Sequence, residues 1–287
     1  AGTGKLAFDV LTALAGAGIR IGKYRILELS AELRQRQQVS LKGFDNVEWL
    51  TVLPERFDGV VLANEVLDAM PVHLVKKYGS GWYETGVSVH DNRLVFADIP
   101  CEESLVDTIR QSIPDHVNLP VGYQTEVHIH ARGFIKTLSE MLAKSACAAA
   151  ILIDYGFPAH EYYHPDRSAG TLMCHFRHRG HDDPFFLPGL QDITAHVNFT
   201  GMAQMASDHG LDVICYASQA SFLLASGLPD LLSNGSAESG NSRAGQLQAV
   251  QKLLSPAEMG EVFKVMVLGH KIEPPAFMLD IDKSGRL

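Results

Sequence analysis

The chain has 287 residues, 46% hydrophobic and 20% charged, with a formal net charge of −9. Without a Lys/Arg-rich stripe this balance excludes nucleic acid as the expected partner. No apolar run reaches the roughly 18 residues of a membrane-spanning helix, so no membrane insertion is expected. The four cysteines, Cys101, Cys147, Cys174 and Cys215, form no C-x-x-C pair. They read as buried free thiols in a reducing compartment rather than disulfides or a zinc ribbon.

The chain opens Ala1-Gly2-Thr3-Gly4-Lys5, a glycine-rich loop with no strand ahead of it. Such a loop normally follows the first strand of a nucleotide-binding sheet, so that strand is expected upstream. Lys5 to Leu14 reads as a helix with Leu6, Val10, Leu11 and Leu14 on one stripe. Tyr24 to Leu29 is a strand, Ser30 a helix cap, and Ala31 to Leu41 a helix. Val47 to Leu53 and Gly59 to Ala63 are further strands, the second a run expected to be covered on both faces. Strands alternating with helices predict a parallel α/β sheet. Trp82 to His90 and Arg93 to Ile99 flank Asp91-Asn92, a hairpin signal. Ser104 and Asp107 resemble a capping box, and Phe134, Leu138, Met141 and Leu142 mark a helix. Ala148 to Ile153 is another buried strand, ending in Asp154-Tyr155-Gly156.

Residues 157–198 are rich in His, Asp, Pro and Gly and read as a long loop or lid. Thr200 is the expected cap of the next helix, and Leu211 to Ala217 a strand. Residues 233–245 read as a flexible polar segment. Ser255-Pro256-Ala257-Glu258 has the form of a capping box that starts a helix. Phe263 to Leu268 and Phe277 to Ile281 read as late strands.

Three constellations carry chemistry. Gly2-Thr3-Gly4 permits a tight turn and a close ligand approach, but Leu6 after Lys5 breaks the Walker pattern GK[ST]. Glu28, at the end of the second strand, stands where an acid binds ribose hydroxyls. Loop and acid together point to a nucleotide-type cofactor. Asn64, Glu65 and Asp68 follow the carboxyl end of the run Val60 to Ala63, where open α/β sheets bind ligands. They suit a cationic substrate, a metal or acid/base work, and Asp68 also suits a helix start. The third set is His175, His178, His181 and His196 with Asp182, Asp183 and Asp192. Its spacing matches no familiar metal pattern, so a substrate-contacting lid is the preferred reading and no metal is assigned.

The strings AGTGKLAFDVL, YRILELSAELRQRQ, VVLANEVLDAMPVH and GTLMCHFRHRGHDDPFFLPGLQDITAHVNF resemble the mitochondrial dysfunction protein A family of methyltransferases. The resemblance covers essentially the whole chain. Its eukaryotic member is a mitochondrial assembly factor for respiratory complex I that dimethylates an arginine. The resemblance implies a class I S-adenosylmethionine-dependent fold, a Rossmann-like α/β sheet whose last strand is antiparallel. It implies an inserted α+β segment at 74–145 between methyltransferase parts 1–73 and 146–287. Gly2, Thr3 and Gly4 would lie against the methionine part of S-adenosylmethionine and Glu28 against its ribose. Asn64 and Glu65 would line the junction of cofactor and substrate. The sequence departs from the family where the first strand and its acid should precede the glycine loop.

The expected activity is methylation of an arginine on a partner protein such as a complex I subunit. A guanidinium is protonated at neutral pH and needs carboxylates to orient it and polarise one nitrogen. Glu65 and Asp68 are the catalytic candidates, with Asp154, Tyr155, His175 and His196 as substrate contacts. Two other classes compete: a non-catalytic cofactor-binding assembly chaperone and a metal-dependent hydrolase built on the His/Asp segment. A homodimer is left open. The expected location is a bacterial cytoplasm or a mitochondrial matrix.

Overall fold

The computed structural model describes residues 2–177, 179–234 and 240–287, with the side chains of 234 and 240–244 outside the description. His178 and residues 235–239 of the polar segment therefore lie outside the described residues. The chain divides into two units, 1–57 and 58–287.

In the first unit the order is α1 (Lys5–Gly16), β1 (Tyr24–Leu27), α2 (Ala31–Ser40) and β2 (Val47–Leu50). β1 and β2 pair in parallel, with Tyr24 opposite Val47 and Leu27 opposite Leu50. Ala7, Leu11, Ile26 and Leu41 form the small core. Leu6, expected on the buried stripe of α1, is 46% exposed, because the inward stripe runs through Ala7 and Leu11 instead. Ser30 caps α2 as expected, its hydroxyl accepting from the Leu33 N–H.

The second unit begins β3 (Gly59–Asn64), β4 (His73–Tyr78), β5 (Gly81–His90), β6 (Arg93–Pro100), α3 (Glu103–Ser112), β7 (Gln124–Val127) and α4 (Ile129–Leu142). It continues β8 (Ala148–Phe157), α5 (Ala159–Tyr162), β9 (Met173–Phe176), β10 (Arg179–His181), β11 (Asp192–Thr194), β12 (Val197–Asn198) and α6 (Phe199–Asp208). It closes with β13 (Asp212–Ser218), α7 (Gln219–Ala225), α8 (Leu228–Asn234), α9 (Gly240–Leu254), β14 (Phe263–His270) and α10 (Ala276–Ile281).

The main sheet centres on β8. β3 pairs with it in parallel, from Gly59 opposite Ala148 to Asn64 opposite Ile153. β14 pairs antiparallel with both β8 and β13. This is the antiparallel last strand of the Rossmann-like reading. The short β12 pairs in parallel with the end of β8, Val197 opposite Gly156 and Asn198 opposite Phe157. A Cβ on Gly156 would stand 2.1 Å from the Val197 carbonyl oxygen, so only glycine lets these backbones meet. One face of the β8–β14–β13 sheet buries Cys215, Ala217, Val265, Val267 and Met278. β6–β5–β4–β7 form a separate antiparallel sheet, joined by the expected hairpin at Asp91 and Asn92, both at positive φ. Its core joins Val75, Ile109 and Val127 to Tyr162.

Several expectations change. Val60 and Leu62 are 62% and 40% exposed, so β3 alternates like a strand with one covered face. Ser104 lies inside α3, which starts one residue earlier after Glu102. β8 runs on to Phe157, so Asp154 sits within the strand, just past the end of its pairing with β3. The supposed loop 157–198 is structured: β9, β10 and β11 form an antiparallel sheet, with α5 before it. These strands are only three or four residues long, too short to show an apolar alternation in the sequence. The cap of α6 is Asn198, whose side chain accepts from the Gly201 N–H, while Thr200 accepts from the Ala159 N–H. Residues 240–245 open α9 rather than a flexible linker. Ser255–Glu258 starts no helix: it follows α9 directly and turns back, with the Glu258 and Gly260 N–H groups on the Ser255 carbonyl. Phe277–Ile281 is helical, one short helix after Pro275 that drives Met278 into the core. The four cysteines are free, but Cys147 is exposed and Cys101 half-buried.

Candidate functional site

In the first unit the glycine loop is held by a residue the sequence reading passed over. Gly4 caps α1 at φ 88°, a left-handed conformation that costs glycine little. A Cβ there would lie 3.3 Å from Gln37. Gln37 is fully buried. Its Nε2 donates to the Gly2 carbonyl at 2.9 Å and to Glu28 at 2.8 Å, and its Oε1 accepts from the Trp49 indole at 2.9 Å. Glu28 also accepts from the Ser30 N–H at 2.9 Å. The signal was present in sequence: Leu33, Gln37 and Leu41 are four apart, so Gln37 stands on the inward stripe.

A carboxylate offers about four lone-pair sites. Glu28 is half-buried and uses one hydrogen bond on each oxygen, so acceptor capacity remains for a diol. No atom lies within 4 Å of where a Gly2 Cβ would be, so the loop backbone is open to a ligand. This donor and acceptor set fits a nucleoside cofactor.

In the second unit the site is a turn, 65–70, clamped by Asp154. Oδ2 of Asp154 accepts from the backbone N–H groups of Val66, Leu67 and Asp68 at 3.2, 2.9 and 3.3 Å. Its Oδ1 accepts from the Tyr155 N–H at 3.0 Å. The Tyr155 hydroxyl donates to Asp68 Oδ2 at 2.8 Å, and the Ala195 N–H bonds the Asp68 carbonyl. Oδ1 of Asp68 is buried with no partner. No helix follows Asp68, which corrects the helix-start alternative. Glu65 is exposed, at φ 50°, a left-handed conformation rare for a non-glycine residue. The Asn64 amide donates to Glu65 Oε1 at 3.1 Å. Asp68, Asp154 and Tyr155 therefore form one connected group, and the Asn64–Glu65 pair stands at the start of the same turn.

His196 joins this group through its ring, 5.0 Å from that of Tyr155 and at 86° to it. Burial, then Arg167 and His128, lower its pKa to about 4, so the ring is neutral at pH 7. Its carbonyl lies 2.7 Å from His128 Nε2, which places a proton on that nitrogen. His175 stands apart on β9, opposite Asp192 of β11. Among the described residues no three His, Cys, Asp or Glu side chains come together as a metal site.

Burial, and then the charge of Asp68, push Asp154 up to about 7 against the pull of its N–H donors. Asp68 is raised as well, first by burial and also by Asp192. A raised carboxyl binds its proton more tightly in the folded chain, so its contribution to stability is full below the unfolded pKa of about 3.9 and disappears as pH rises through the folded value. The window here is about pH 4 to 7 and the size at most about 4 kcal/mol. In urea unfolding, wild type minus Asp154→Asn is expected to shrink steadily across that window. A difference independent of pH would refute the assignment.

The chain has solved and curated relatives. A family model described as "Putative S-adenosyl-L-methionine-dependent methyltransferase" matches residues 1–217. A crystal structure of an uncharacterised protein from Burkholderia thailandensis is 47% identical at a TM-score of 0.92, covering 100% of this chain and 76% of that one. A second, described as a "likely methyl transferase" from the same organism bound to S-adenosyl-homocysteine, is 46% identical at a TM-score of 0.90, covering 99% and 74%. Protein arginine methyltransferase NDUFAF7, mitochondrial, is 27% identical in Danio rerio, over 92% of this chain and 66% of the relative. In Mus musculus it is 30% identical over 84% and 53%. The chain thus spans 53% to 66% of the length of these two curated relatives. The match to the family model over 1–217, together with two solved structures that align over nearly all of this chain, places it in the S-adenosyl-L-methionine-dependent methyltransferase family.

Proposed function

We propose that this chain binds S-adenosylmethionine and methylates arginine side chains of a partner protein, such as a subunit of respiratory complex I. The observation that carries the reading is the turn 65–70, which sets Glu65 outward and leaves one oxygen of buried Asp68 unpaired. Two carboxylates on one rigid turn suit a guanidinium, which is planar and accepts paired acids. The printed names of the NDUFAF7 relatives support an arginine target.

S-adenosylmethionine supplies the activated methyl group when bound. Gly2, Thr3 and Gly4 would hold its methionine part and Glu28 its ribose, with Asn64 contacting it at the junction of cofactor and substrate. Glu65 would contact the guanidinium, orient one nitrogen and accept the proton that this nitrogen loses as its bond to the methyl carbon forms and the bond from that carbon to the cofactor sulfur breaks. Alignment of this kind contributes several kcal/mol to a displacement. Asp154 fixes the turn, and Tyr155 and His196 wall the acceptor side, with His175 further along the substrate path. In this reading 1–73 and 146–287 make the methyltransferase domain, with 74–145 inserted and 157–198 covering the substrate. No helix among the described residues is long and apolar enough to cross a membrane. The relatives' mitochondrial names fit a matrix location, and a bacterial cytoplasm fits equally.

Isothermal titration is expected to give saturable binding of S-adenosylmethionine, weakened about tenfold in Glu28→Ala for the loss of a charged hydrogen bond. Absence of heat in both proteins sinks the cofactor assignment. Mass spectrometry of co-expressed complex I subunits then separates enzyme from chaperone. A methylarginine that appears only with this chain supports turnover, and its absence with cofactor bound supports the chaperone.

A further inference from the structure

A cavity of about 240 Å³ opens at the end of β8, where α5 begins, and no part of the proposed reaction uses it. Its walls include Tyr216 and Ser218 of β13, Lys264 of β14, and Lys283 and Arg286 near the end of the chain. The register explains why they meet. Ser218 lies opposite Lys264, and Lys264 opposite Asp154, so the three form one row across the sheet. Tyr216 is two residues deeper along β13, opposite Met266, its ring 5.4 Å from that of Phe199.

Tyr216 is only 3% exposed, and its hydroxyl has no hydrogen-bond partner. Tyr216 lines the cavity together with Glu161 and Arg286. A buried hydroxyl left unpaired is unfavourable, and a ligand atom would satisfy it. The charges point the same way. Arg286 pairs with Glu161, and Lys264 donates to the backbone carbonyl of Glu261. Neither Lys264 nor Lys283 has an ion-pair partner among the described residues. Three cations therefore face two acids in a chain whose net charge is −9. General attraction of anions to this protein is not expected, so a local cationic pocket is specific.

We propose that this cavity binds a compact oxyanion, a carboxylate or phosphate group, held by the Tyr216 hydroxyl and Lys264 inside and by Lys283 and Arg286 at the mouth. The site stands on the second unit alone and is independent of which group the chain methylates. Two source chemistries share this geometry, and two probes separate them.

The test is calorimetric titration of the protein with inorganic phosphate and with acetate, ionic strength held constant with potassium chloride. The expected result is saturable binding of one probe near about 1 mM. Tyr216→Phe, which keeps the ring against Phe199, is expected to weaken it about fivefold and Lys264→Gln about tenfold. Lys136→Gln on α4, exposed and distant in sequence, is expected to leave it unchanged. Stronger phosphate binding assigns a phosphoryl subsite and stronger acetate binding a carboxylate subsite. No saturable binding of either probe, or equal affinity in wild type, Tyr216→Phe and Lys264→Gln, overturns the proposal.

Discussion

Asp154→Ala is expected to lower the unfolding free energy by about 3 kcal/mol and to cut methyl transfer by at least about a hundredfold. The stability loss comes from donors rather than from the carboxylate itself. Val66, Leu67, Asp68 and Tyr155 each direct a backbone N–H at Asp154. An orphaned buried donor costs about 1 to 3 kcal/mol, and relaxation of the turn recovers part of the sum. The activity loss follows from geometry, since this turn carries both candidate acids. Asp154→Asn retains one acceptor oxygen but sets its NH₂ against an N–H, so an intermediate loss is expected. Urea denaturation and single-turnover transfer to the identified substrate are the measurements. Wild-type stability together with wild-type turnover in the alanine variant would show that the turn holds without its clamp.

Glu65→Gln is expected to reduce methyl transfer about a thousandfold while changing cofactor affinity less than about threefold. The substitution keeps the shape and keeps an oxygen for the Asn64 amide, which bonds Oε1 at 3.1 Å. Only the charge is removed. A guanidinium acceptor then loses the group that stabilises and orients it, whereas the glycine loop and Glu28 are unaltered. Asp68→Asn provides the contrast. Asp68 is 5% exposed and already accepts from Tyr155, so its variant should also lose stability. Turnover of Glu65→Gln within tenfold of wild type would remove Glu65 from the reaction.

The sequence made the α/β pattern, the cap at Ser30 and the hairpin at Asp91-Asn92 legible, because local spacing dictates them. The cluster of Asn64, Glu65 and Asp68 was legible for the same reason: polar residues break an apolar run abruptly. What escaped was long-range. Asp154 is 86 to 88 residues from the three turn amides it holds, so no spacing rule connects them. The segment 157–198 looked like a loop because β9, β10 and β11 are only three or four residues long, too short to show a period, and are held by backbone pairing. Phe277–Ile281 looked like a strand because five apolar-rich residues fit either period. Pro275 at its start and the burial of Met278 decided for a helix.

Gln37 has a consequence for which substitutions the first unit can accept. Its amide is read by polarity on both sides: the nitrogen meets a carbonyl and a carboxylate, the oxygen meets an indole N–H. Glutamate matches it in volume and almost atom for atom. Yet Gln37→Glu would turn the donor face into a second acceptor, pressed against Glu28 and the Gly2 carbonyl in a fully buried place. A shorter or apolar residue would leave a void but no repulsion. At this position the replacement that looks most conservative by shape is the most disruptive electrically, and tolerance should follow hydrogen count rather than size.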